Sequence, residues 1–228
     1  MAQFHTKGGR FTFTAQDHPN SWTRSTARDR ANKIVILTTA GGEFIPGIDL
    51  GSFGNVADPG VWSQVHDEGV QIVENIANLR VAVIAAGEGR GHVHSEYALL
   101  ASVIVASEGA PFQQIPHFAG GIVPGGGIFT TCSHRAGAGR AEAFLLIPQP
   151  ITAATAYQWG VVANTKRQGA QPTGISPAIF EGVRNHTAEH SDSLHSATQG
   201  AYSAGSRLWA VTRRGIRGRP RETMKARG

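Results

Sequence analysis

Cysteine is almost missing from this 228-residue chain: Cys132 stands alone, which excludes an intrachain disulfide and suits a reducing compartment. Its expected role is packing. Charge is scarce too, at 16% of residues against 40% hydrophobic ones, a balance that excludes global disorder. No apolar run reaches the ~18 residues of a membrane span, and the first residues, MAQFHTKGGR, hold no hydrophobic signal core. The expectation is a cytoplasmic α/β protein without membrane contact.

The net charge of +5 points toward nucleic acid only until its distribution is read. Between Arg207 and Gly228 eight basic residues face the lone Glu222, a net of +7, which leaves the rest of the chain at −2. The basicity belongs to a tail, and nucleic acid is not the expected partner. A core over residues 1–169 is expected, followed by a C-terminal helical or flexible region over 170–228, where the apolar pattern degrades after QGAQPTGISP.

Apolar periodicity places the elements. Arg10 to Thr14 alternates like a half-buried strand with Phe11 and Phe13 on one face. Lys33–Thr38, Val81–Ala86 and Val103–Ala106 read as buried strands, and Val161–Asn164 as a short one. Trp62, Val65, Ile72, Val73, Ile76 and Leu79 recur at helical spacing and predict a helix over 61–79, with Trp62 in the core. Further helices are expected over 92–100, 139–147 and 152–159. Asp49 is a candidate cap for whatever follows it.

Between two apolar runs lies Phe112 to Gly127, FQQIPHFAGGIVPGGG. Its prolines and glycines predict a loop that is neither helix nor central strand, carrying His117 where catalytic side chains often sit. The plainer alternative is a histidine bonded to a turn carbonyl. His92 and His94, in the spacing His-x-His, also raise a zinc site with His117. No acidic partner for such a site is evident, and the reading favours no metal and no cofactor.

The chain resembles the crotonase (enoyl-CoA hydratase/isomerase) superfamily in four places: KIVILTTAGGEFIPGIDLGSF, VAVIAAGEG, Glu96 in the following segment, and TAATAYQWGVVAN. The resemblance implies an α/β fold of the β-β-α spiral type and self-association as a trimer or hexamer. It also implies an oxyanion hole from two backbone N–H groups, which fall on Ile48 and Val93 in this sequence. Preorganised donors of that kind stabilise an enolate or a tetrahedral oxyanion.

FQQIPHFAGGIVPGGG is similar to the 6-oxocamphor hydrolase branch, the β-diketone hydrolases that cleave a carbon–carbon bond by a retro-Claisen reaction. His94, where ordinary crotonases carry a glycine, and Trp22 match that branch as well. The resemblance implies His117 as the base, with His94 and the Trp22 indole holding the carbonyls of a diketone. It departs at Gly126, where the branch has an aspartate that orients the base, and in a shortened connection between Trp22 and Lys33. Two other readings stay open: an acyl-CoA hydratase or isomerase using Glu96, and a non-catalytic scaffold of the same fold.

Overall fold

The computed structural model describes residues 2–4, 34–39, 43–45, 47–119, 124 and 127–166, together with Ala178, Ile179, Glu181 and Val183 of a C-terminal helical stretch. Trp22, Gly126, the expected strand at Phe11 and the basic tail lie outside the described residues.

Its strands are β1 (Ala2–Phe4), β2 (Ile34–Thr39), β3 (Ala82–Gly87), β4 (Val103–Ser107), β5 (Pro111–Phe112), β6 (Ile151–Thr152) and β7 (Asn164–Lys166). Five of them form one parallel sheet in the order β1-β2-β3-β4-β7, while β5 and β6 pair antiparallel. Alternation splits the central strands between two apolar layers. Val35, Leu37, Val83, Ala85, Ile104 and Ala106 join the main core. Ile84, Ala86 and Val105 form a second cluster, against which Ile179 and Val183 pack. Ile84 is fully buried, and a side chain of that kind contributes about 1.5–3 kcal/mol by leaving water. Burial on both faces is why these strands read as continuous apolar runs.

Between main-sheet strand and helix the chain makes a second, smaller contact layer: Ile45 bridges Gly91, and Gly91 bridges Phe112, all in parallel. Strand, bridge and helix thus repeat as the β-β-α spiral expected from the sequence. The helices are α1 (Pro59–Ala77), α2 (Glu96–Leu99), α3 (Ile115–Ala119), α4 (Ile128–Ala136), α5 (Ala138–Leu146) and α6 (Ala153–Gln158). Helix α1 begins where Asp58 accepts from the Gly60 and Val61 N–H groups at 2.7 and 3.2 Å, with Pro59 in the first turn. It buries Ile72, Val73, Ile76 and Ala77.

Several expectations are corrected. Asp49 makes no side-chain cap for the short turn that follows it, and Trp62 is 37% exposed at the open end of α1. The His117 stretch is not all loop, because Pro116 falls in the first turn of α3, where its missing N–H costs no helical bond. Of the helix expected over 92–100, only α2 forms. The last strand starts at Asn164, not Val161, since the Val161 and Val162 N–H groups close the end of α6 on the Ala156 carbonyl after Gly160 at φ 76°. Among the described residues no helix is long and apolar enough to cross a membrane.

Candidate active site

Backbone hydrogen bonds bring three separated segments together. The Ile45 carbonyl accepts from the His92 and Val93 N–H groups at 2.9 and 3.2 Å. Gly91 donates to the Pro111 carbonyl at 2.9 Å and accepts from Gln113 at 3.0 Å, while Ile115 donates to the His92 carbonyl at 3.0 Å. Gly91 is required here: a Cβ on it would stand 2.8 Å from the Phe112 ring. The turn carrying Ile48, the segment carrying His94 and the segment carrying His117 are therefore one assembly.

His94 has φ 51°, the only described residue other than glycine with positive φ. Histidine is one of the few residue types that tolerate this left-handed region, so the chain keeps the turn a glycine would make and gains an imidazole. The turn is closed by the Tyr97 N–H on the His94 carbonyl at 3.1 Å. The His94 ring lies parallel to the buried Tyr97 ring, with centroids 4.9 Å apart. Its Nδ1 is 2.7 Å from Oε1 of Glu96, which is only 4% exposed. The other carboxylate oxygen, Oε2, accepts from Gln114 Nε2 at 3.3 Å, and the same amide donates to Ser95 Oγ at 2.5 Å. Both oxygens of a buried carboxylate are thus engaged, which is the condition for keeping such a charge in a protein interior.

His117 sits half-buried on α3, its N–H on the Gln114 carbonyl at 3.1 Å. Gln114 consequently joins the two histidine segments by side chain and by backbone. Ile48 is half-buried against the main core. Val93 differs from expectation: its N–H already donates to Ile45, so it is not a waiting oxyanion donor. Trp22 and Gly126 lie outside the described residues. His92, His94 and His117 do not assemble into a metal-binding trio; among the described residues no three histidine, cysteine or acidic side chains do.

The surroundings are built to hold this geometry. Arg135 reaches from α4 to donate to the Leu99 carbonyl at 2.9 Å and to the Ala101 carbonyl, fixing the end of α2 behind Glu96. Burial holds its guanidinium below the usual range. Arg90 pairs with Glu43 at 2.7 Å on the other side. Burial and then the Arg90 charge push the His92 imidazole below its ordinary value, with Glu43 opposing. An apolar cavity of about 40 Å³ lies beside Ser95, bounded by Phe112, Cys132, Phe144 and Trp159, and burial raises the Cys132 thiol to about 11.

Sequence reasoning named His94, His117 and Glu96 but treated Glu96 as belonging to a rival chemistry, and it passed over Gln114 and Ser95. A glutamine in a breaker-rich loop carries no sequence signal of burial. The structure supplies that information, since Gln114 is 3% exposed.

A family model described as enoyl-CoA hydratase/isomerase matches residues 24–171. "Probable enoyl-CoA hydratase 1, peroxisomal" of Arabidopsis thaliana is 31% identical over 142 residues, 62% of this chain and 52% of that protein, so the match spans about half of the relative's length. A solved β-diketone hydrolase from the cyanobacterium Anabaena sp., bound to (S)-3-oxocyclohexyl acetic acid, is similar with a TM-score of 0.72 and 30% identity, covering 93% of this chain and 83% of that one. An enoyl-CoA hydratase/isomerase from Mycobacterium paratuberculosis shares the fold with a TM-score of 0.71 at 18% identity, over 86% and 78% of the two chains.

Proposed function

We propose, starting from the fact that the chain belongs to the enoyl-CoA hydratase/isomerase family, that it hydrolyses a carbon–carbon bond of a β-diketone. The observation that carries this is a pair of imidazoles, His94 and His117, on two segments joined through Gln114 beside the turn of Ile48. Retro-Claisen hydrolysis needs a base for water, a donor for the tetrahedral oxyanion and an acid for the carbon that departs as an enolate. Two imidazoles supply the proton transfers, and the Ile48 N–H is the oxyanion donor. Trp22 is assigned to carbonyl binding by its likeness to the hydrolase branch. The Anabaena hydrolase holds a keto acid, the product class expected when water opens a bicyclic diketone.

Glu96 is the observation that favours an acyl-CoA hydratase or isomerase as the second reading, together with the Arabidopsis relative. A carboxylate buried to 4% exposure with both oxygens engaged is poorly placed to activate water, which supports the hydrolase instead. Self-association as a trimer or hexamer belongs to the same proposal. It is supported by Phe129, Leu146, Ile147 and Tyr157, which are 45%, 72%, 50% and 53% exposed; a sedimentation coefficient of a monomer would remove it.

The test sets the purified protein against two substrates. One is the bicyclic octanedione whose hydrolysis yields 3-oxocyclohexyl acetic acid, followed by chromatography of the keto acid. The other is a crotonyl thioester of coenzyme A, followed by loss of its conjugated absorbance. Turnover of the diketone alone is expected, and turnover of the thioester alone would replace this reading with the second.

A further inference from the structure

We infer that Arg135 is a positioning residue for this site, holding from α4 the register of α2 that brings Glu96 to His94; the inference rests on the hydrolase reading above, which puts that pair in the site. Helix α2 is a single turn, Glu96 to Leu99, and one turn fixes more backbone than its own hydrogen bonds repay. Its register is therefore set from outside. At its start Ser95 makes no side-chain cap. At its end the last carbonyls have no helical donor, and there Arg135 Nε donates to the Leu99 carbonyl at 2.9 Å while Nη2 donates to the Ala101 carbonyl.

Neighbouring donors on one planar guanidinium hold two carbonyls in a fixed relation, which the point charge of a lysine on its flexible stem does not. Among the described residues no carboxylate pairs with Arg135. Its charge serves the two carbonyls. Close packing does not set the spacing of the two helices instead, because the apolar cavity of about 40 Å³ lies against Ser95, Ala98 and Leu99 on one side and Cys132 and Ala136 on the other. Side chains that border a void lack the contacts that would fix their distance.

Glu96 stands one helical turn from the Leu99 carbonyl. A slip of one residue along α2 turns its side chain by about 100° and carries it about 1.5 Å along the axis. That parts Oε1 from His94 Nδ1, now 2.7 Å away, and Oε2 from Gln114. Arg135 lies in the last turn of a helix that begins at Gly127, directly after the His117 stretch. Helix α4 thus runs from the end of that stretch to the turn that carries Glu96.

Three variants test this beside the wild type: Arg135→Lys, Arg135→Met and Arg135→Ala, the last with and without guanidinium chloride far below the concentration that unfolds it. Each is read by kcat and KM on the bicyclic octanedione, by the ¹⁵N signals of the His94 ring, and by urea melts. Arg135→Met is expected to lower kcat per folded molecule by about 10²-fold, the cost of misplacing a group at the site by about 1 Å, and Arg135→Lys by at least about tenfold. KM should change far less, the His94 signals should move, and guanidinium should restore part of the rate to Arg135→Ala. A folded Arg135→Lys with the wild-type kcat and the wild-type His94 signals would overturn the inference whatever its urea midpoint, since a purely structural arginine changes only the melt. A wild type with no diketone turnover would sink the hydrolase reading, and the His94 signals would then decide on Arg135 alone: moved in Arg135→Lys they support the positioning role, and unmoved they overturn it.

Discussion

The two histidine segments are built on opposite plans. His94 stands on one strained residue, stacked on Tyr97 and bonded to a carboxylate two positions away. His117 stands on a single helical turn beside a glycine-rich run, and its expected carboxylate partner is replaced by Gly126. The motif that carries the family likeness surrounds the second histidine, while the contact with Glu96 that the structure describes belongs to the first.

The sharpest way to break this contrast is Gln114→Leu, which removes the side chain that joins the two segments. Oε2 of Glu96 would lose its donor inside the protein, and stability should fall by about 3 kcal/mol. Diketone hydrolysis should fall at least tenfold, since the carboxylate is freed to leave Nδ1. Urea melts and initial rates read both effects; unchanged values would mean that Gln114 does not hold the pair.

Gly91→Ala strikes the backbone seam itself. Its methyl would meet the Phe112 ring at 2.8 Å, and overpacking of that kind costs about 1–3 kcal/mol. A lowered urea midpoint with unchanged slope is expected. A smaller effect comes from Gly126→Asp. Because His94 already has a carboxylate in Glu96, a new one at position 126 should change kcat by less than about tenfold, below the range that a working acid–base partner supplies. A gain near 10²-fold, absent in Gly126→Asn, would place the base role on His117.

His92 gives the smallest effect, on stability against pH. Burial and Arg90 depress its folded value below 6.5, the ordinary one. Well above that value both folded and unfolded chains carry it neutral, and it contributes nothing. As the pH falls through it, the unfolded chain binds the proton first, so stability drops until the depressed folded value is passed. His92→Gln should flatten the fall in melting temperature between pH 8 and pH 5. An identical pH profile in the two proteins would count against the shift.

The parallel sheet was legible because β3 is buried on both faces and β2 and β4 are buried on one and at least partly buried on the other, and such burial writes itself as runs such as Ile34–Leu37 and Ala82–Ala86. Helix α4 was not. It packs Ile128, Thr131, Cys132 and Ala136 at helical spacing, but small and polar residues hide that stripe. Thr131 even returns its hydroxyl to the Gly127 carbonyl at 3.0 Å. At the site, residue types were legible and partnerships were not. Nothing in the string HVHSE states that His94 turns left-handed, and that turn precedes the meeting of His94 with Glu96.

The seam of Ile45, Gly91 and Phe112 is made from main-chain groups, apart from the space that Gly91 leaves for a ring. Amides and carbonyls are the same whatever residue carries them. Side chains at Ile48, His94 and His117 can therefore be exchanged by mutation while the scaffold beneath them keeps its register. A lineage using this architecture has room to try new reactions one substitution at a time.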